Sequence, residues 1–190
     1  MKRKVLTILI LVFSVSILQA QVKGEAEYQV RYDVKFKLDS MNLEKVKHEV
    51  HRLYTGTTTS HYISDPWFYM DSINDLLNNN PRGIGINFEA ISDPNAEFNG
   101  IVYKNLVMKE IWVRDNIEME NFHYKEQGAP VVWEQTQETK EIMDYTVHKA
   151  TTSYAGRDYE AWFTLDIPIL DGPYVFSGLP GLIVELYDAN

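Results

Sequence analysis

From Ala26 to Asp39 the chain alternates without a break. Ala26, Tyr28, Val30, Tyr32, Val34, Phe36 and Leu38 are apolar or aromatic, and every residue between them is polar or charged. Period-2 alternation is the pattern of a β-strand with one buried and one wet face, because successive side chains leave a strand on opposite sides. At about 3.3 Å per residue such a strand would reach ~45 Å, so it has to belong to a twisted, strongly curved sheet. A strand of this kind cannot stand alone, and the rest of the chain must supply its partners.

Those partners are legible as short runs. Arg52 to Ile63 reads as a hairpin around Thr55-Gly56-Thr57, and further strands are expected at 101–104, 108–114, 119–125 and 132–140. Residues 40–47 are ambiguous between helix and strand. One helix is expected after Asp71, with Ile73, Leu76 and Leu77 as its apolar face and Asn78-Asn79-Asn80-Pro81 as its end. Tyr145–Tyr154 and Asp158–Leu165 form the clearest hairpin, read with Ala155-Gly156-Arg157 as a three-residue connection. In the second arm Tyr159, Ala161, Phe163 and Leu165 share one face, and Trp162 points to the other. The expected fold is mainly β, a β-rich α+β class. It is an antiparallel meander sheet, curved or closing into a half-open barrel, with one or two short helices.

The amino end points to export. Lys2, Arg3 and Lys4 precede an apolar run from Val5 to Leu18, and Ala20 closes the segment. A basic head, a short apolar stretch and a small residue at the cut form the secretory signal pattern, and the run is shorter than a bilayer span requires. The expectation is a signal peptide over 1–20, cleavage before Gln21 and a periplasmic or secreted domain over 21–190. Without residues 1–20 the chain holds 15 basic and 27 acidic residues, a balance of −12. Such a chain repels phosphate backbones, so no nucleic-acid partner is expected. It holds no cysteine, which excludes disulfides, thiolate metal sites and a cysteine nucleophile.

Near the carboxyl end stand Asp171-Gly172-Pro173 and then Gly178, Leu179, Pro180, Gly181, Leu182 and Ile183, which spell GLPGLI. With Lys149-Ala150-Thr151, Gly156-Arg157, Ala161-Trp162-Phe163-Thr164 and Ile167-Pro168 upstream, this region resembles the GLPGLI family of exported proteins from Bacteroidetes-type bacteria. Many relatives of that kind carry a cysteine where this chain has Val147, so no role resting on that thiol operates here. The motif itself reads as backbone geometry: Pro180-Gly181 suits the centre of a type II turn, with Gly181 at positive φ. Leu182–Tyr187 then reads as a strand. Asp188-Ala189-Asn190 looks like a turn opening, and the resemblance implies further strands, so the domain is expected to be incomplete at its carboxyl end.

Reactive constellations are sparse. His48-Glu49-Val50-His51 is one residue short of the HExxH spacing; a helix would present both rings together and a strand would separate them. His48 and His51 are therefore the candidate metal ligands. Ser177 does not sit in a nucleophile elbow, and Gly83-Ile84-Gly85 lacks the third glycine of a dinucleotide loop. Phe, Trp and Tyr make up 13% of the chain, with a cluster at Trp67, Phe68, Tyr69 and Met70. In the motif region Arg157, Trp162, Tyr174 and Phe176 are the candidate ligand-binding residues, on the idea that a curved aromatic sheet holds an apolar or amphipathic ligand. The expected function is an exported binding or interaction module without a cofactor, engaging an envelope protein or an apolar small ligand. A metal or metal-complex binder and a hydrolase with an unrecognised site are the alternatives.

Overall fold

The computed structural model describes residues 26–37, 46–69, 100–117, 120–126 and 131–189. They form ten strands in two antiparallel sheets, with residues 65–69 helical. The first sheet is a meander of β1 (Tyr28–Lys37), β2 (Val46–Thr55), β3 (Thr59–Ser64), β4 (Ile101–Asn105), β5 (Glu110–Ile117) and β6 (Glu120–Lys125), in that spatial order. The second runs β10 (Leu182–Asp188), β9 (Arg157–Thr164), β8 (Tyr145–Tyr154) and β7 (Glu134–Ile142). The mainly β class expected from the sequence is what the chain adopts. Among the described residues the meander divides into two sheets and closes into no barrel. The helix expected after Asp71 lies outside the described residues.

Alternation decides which face goes inward. Val30, Leu53, Tyr62, Val102, Val113 and Tyr124 stand opposite one another in a single row across all six strands of the first sheet. Four of them, Leu53, Tyr62, Val102 and Val113, join Ala150, Ala161 and Phe163 of the second sheet, and Val175, Phe176, Leu179, Leu182 and Ile183, in one core cluster, with half-buried Val30 packed against it. Each large apolar side chain buried there contributes about 1.5–3 kcal/mol. A core shared between two sheets is what keeps them face to face.

The segment between β9 and β10 crosses that core and is fastened from both sides. The Tyr32 hydroxyl of β1 donates to the Ile183 carbonyl at 2.8 Å, and the Trp133 indole N–H donates to the Ser177 carbonyl at 2.9 Å. Within the segment, Gly178 N–H reaches Leu170 O, Leu182 N–H reaches Ile167 O, and Ile183 N–H reaches Asp171 O.

Two local expectations need correction. The β8–β9 connection is two residues, since Tyr154 pairs with Arg157 across it. Ala155 and Gly156 take φ of 50° and 80°, the positive pair of a type I′ turn, whose twist matches the flanking strands. β9 ends at Thr164, so Leu165, expected on the face of Tyr159, Ala161 and Phe163, lies past the strand and is exposed. In the GLPGLI motif the left-handed residue is Gly178, at φ 94°, while Gly181 has no positive φ. A Cβ on Gly181 would sit 1.9 Å from the Thr164 carbonyl oxygen. Close backbone approach, which the sequence alone does not reveal, is why position 181 has no side chain.

Candidate binding face

The outward side of the first sheet carries a second cross-strand row. Gln29, Tyr54, His61, Tyr103, Trp112 and Lys125 stand opposite one another on β1 to β6 in order. Directly opposed side chains on one face of an antiparallel pair lie close enough to interact, so the register alone builds an aromatic line. His61 and Tyr103 stack with planes 2° apart and centroids at 4.6 Å; Tyr54 stacks on His61 at 6.3 Å and on Phe68 at 5.7 Å. Tyr103 and Trp112 remain 45% and 47% exposed. Neighbouring large rings this exposed on an ordered sheet face make it the candidate surface for recognition.

One residue pair along the strands lies a polar row, Thr59, Asn105 and Glu110, again in register. The two rows bound a trench of about 460 Å³ that runs across the strands. Asn105 is held in place: its Oδ1 accepts the Val107 and Met108 amides at 3.2 and 2.9 Å, so its Nδ2 donors are what it offers outward. Glu110 accepts from the Lys125 ammonium at 2.5 Å, and that ammonium lies 5.7 Å from the Trp112 ring centre.

Both ends of the aromatic row carry cations that are already matched. Arg52 packs its guanidinium 4.5 Å from the Phe68 ring centre and hydrogen-bonds the Asp65 carboxylate and, at 2.9 and 3.3 Å, the Tyr69 and Tyr54 hydroxyls. Arg31 reaches the same carboxylate at 3.0 Å. Burial pushes Asp65 up, but the hydrogen bonds from Arg52 and Arg31 outweigh it and hold its carboxyl below the ordinary range. Among the described residues, Arg52 with Asp65 and Lys125 with Glu110 thus flank the trench as closed ion pairs.

The residues singled out from sequence lie elsewhere. Arg157 ends the β8–β9 hairpin and pairs with Asp188. Trp162 faces outward on the second sheet but is only 7% exposed, covered by the Lys140 ammonium at 4.2 Å from its ring centre and by Lys149. Phe176 is core, packed against Trp133, Tyr154 and Tyr159, and Tyr174 is half-buried beside it at φ 53°. These four do not form one surface. His48 and His51 sit on β2, which sends them to opposite faces: His48 lies outside, 3.6 Å from Asp33, and His51 is 1% exposed. They cannot share an ion, for the reason a strand separates residues three apart. Among the described residues no three His, Asp or Glu side chains converge on a point suited to a metal.

His51 instead belongs to an interior chain. Its Nδ1 lies 2.8 Å from the Tyr62 hydroxyl and its Nε2 lies 3.1 Å from Glu49 Oε2. A carboxylate only accepts, so Nε2 carries the proton and Nδ1 accepts from the tyrosine. Burial pushes the His51 pKa down against the opposing pull of Glu49.

Residues 155–185 match a family model. Its description is "Protein of unknown function (Porph_ging)", and the matched stretch takes in β9, the crossing segment with Gly178–Ile183, and the start of β10. None of the curated proteins matches the chain. Among solved structures, PNGF-II in its P21 crystal form is similar at TM-score 0.50 and 17% identity, covering 84% of this chain and 25% of that one. The C2 form gives TM-score 0.49 and 17% identity over 76% and 23%. This chain therefore spans about a quarter of the length of that structure, and the likeness is one of fold. The aromatic row lies outside the segment the family model covers.

Proposed function

We propose that this chain is an exported binding module of the GLPGLI kind, which holds an amphipathic ligand in the trench on the outward face of its first sheet. The observation that carries the reading is the in-register row Tyr54–His61–Tyr103–Trp112, half exposed at Tyr103 and Trp112. Fixed aromatic surface beside a few placed polar groups is the usual make-up of a small-ligand site. The second sheet supplies the contrast, since its outward Trp162 is covered by lysines and their ion pairs. Export, to the periplasm or beyond the cell, is supported by the basic-then-apolar pattern of residues 1–20, and the GLPGLI assignment by the hexapeptide within the matched stretch.

Native mass spectrometry of the protein recovered from its own export compartment tests this. The wild type should retain a non-covalent species that a folded Tyr103→Ala/Trp112→Ala variant loses. A ligand-free wild type, or equal retention by the variant, would overturn the proposal.

A further inference from the structure

We infer that the occupant of the trench is a neutral oligosaccharide, an inference that rests on the binding-face reading above. Four observations converge on this chemistry. First, the charged side chains seen to flank the trench among the described residues are paired, Arg52 with Asp65 and Lys125 with Glu110, so an ionic ligand would have to compete with an existing pair for either of them. Second, the chain as a whole is acidic, at −9, which disfavours polyanions such as nucleic acids.

Third, the trench is apolar on one side and polar on the other. A bare alkyl chain would strip water from Thr59, Asn105 and Glu110 without giving them partners, and desolvating polar groups in that way is unfavourable. A ligand with C–H surface on one side and hydroxyls on the other matches both rows. Aromatic faces carry negative potential and attract the weakly positive C–H groups of a pyranose ring, while the Asn105 amide donates to, and the Glu110 carboxylate accepts from, its hydroxyls.

Fourth, the trench lies on the face of β2 to β5, where each strand is paired on both sides. Backbone groups there are committed to the ladders, so only side chains remain to read a ligand. An extended peptide gains most of its affinity from main-chain pairing at a sheet edge, which this place does not offer. Three inter-strand steps separate Tyr54 from Trp112, or about 14 Å at the usual strand spacing, room for two to three sugar rings laid across the strands.

The test is an array of neutral glycans spanning the common hexose and N-acetylhexosamine linkages, followed by calorimetric titration of the best binder. Sodium laurate and a heparin hexasaccharide serve as comparison probes. Wild-type protein should bind a neutral glycan, Trp112→Phe should bind it comparably, and Trp112→Ala, checked for folding by its thermal melt, should lose about tenfold in affinity or more. Trp112-dependent binding of laurate or heparin with no neutral glycan bound would overturn the saccharide inference and leave the binding face standing. No probe whose binding responds to Trp112→Ala would overturn both.

Discussion

Lys104 Nζ lies 2.5 Å from Asp171 Oδ1, with both side chains shut away from solvent. The lysine belongs to β4 of the first sheet and the aspartate to the segment that crosses the core toward β10. Lys104 also donates to the Gly172 carbonyl at 2.7 Å and the Phe176 carbonyl at 3.4 Å, and Asp171 Oδ1 accepts the Gly172 amide at 2.8 Å. One ammonium thus holds three oxygens of a segment that has little regular structure of its own. Burial pushes the Lys104 pKa down, and Asp171 opposes that shift.

Breaking this pair on one side should be costly. Lys104→Met leaves the Asp171 carboxylate buried without its counter-charge, and losing one partner of a buried pair typically costs about 3–5 kcal/mol. Among the described residues Asp171 Oδ2 already has no hydrogen-bond partner, so none of them stands ready as a substitute. The double variant Lys104→Met/Asp171→Asn removes the stranded charge and should recover part of the loss. Urea unfolding midpoints of the three proteins check this, and a single variant as stable as the double would contradict it.

His51 gives the fold a dependence on acid. Its folded pKa is lowered, so the unfolded chain binds the proton more readily. The stability it contributes is present above the unfolded histidine value of about 6.5 and declines as pH falls below it. Stability measured by urea unfolding should therefore drop between pH 7.5 and 5.5. In His51→Gln the drop should be smaller, at the expense of lower stability at pH 7.5. An unchanged pH slope in the variant would assign the effect to other groups.

The two sheets differ in how much of them the sequence discloses. β1 is legible because one of its faces is wet and the other dry, so Val30, Tyr32 and Val34 announce their side by chemistry alone. The aromatic row is not, because Tyr54, His61, Tyr103 and Trp112 come from four strands and meet only once register is known. The available signal was weak: Tyr103 between Val102 and Lys104, and Trp112 between Ile111 and Val113, occupy outward positions. Arg157, Trp162, Tyr174 and Phe176 are near one another along the chain, but a strand and a turn send them to different surfaces. The Pro-Gly pair of the motif suggested turn geometry because local signals are all a sequence offers. The constraint on Gly181 comes from Thr164, on a different strand.

Ala155 is a local site where stability should be easy to gain. It sits at φ 50° in a two-residue type I′ turn, a conformation that costs an L-residue with a Cβ roughly 1–2 kcal/mol. Asparagine tolerates it, and Asn-Gly is the preferred pair for this turn. Ala155→Asn should raise stability by about 0.5–1 kcal/mol. A melting temperature unchanged or lowered relative to wild type would argue against the turn assignment.

The two glycines of the motif should respond to alanine in different ways. Gly178 has φ 94° with open space around a would-be Cβ, so Gly178→Ala pays only backbone strain, about 1–2 kcal/mol. Gly181 has an ordinary φ, but a Cβ there would lie 1.9 Å from the Thr164 carbonyl oxygen and 2.8 Å from its carbon. That neighbour is backbone at the end of β9, which cannot rotate aside as a side chain would. Accommodating the methyl has to push the crossing segment away from β9 and loosen Leu182 and Ile183, both core residues. Overpacking of this kind typically costs about 1–3 kcal/mol and sometimes more. Gly181→Ala is therefore expected to be the more destabilising of the pair and to weaken protection of the Leu182 and Ile183 amides. Gly178→Ala should leave that protection close to wild type. Hydrogen exchange and denaturant unfolding on both variants decide the matter: a Gly178→Ala protein less stable than Gly181→Ala would mean that left-handed backbone, and not close approach to Thr164, sets the motif's need for glycine.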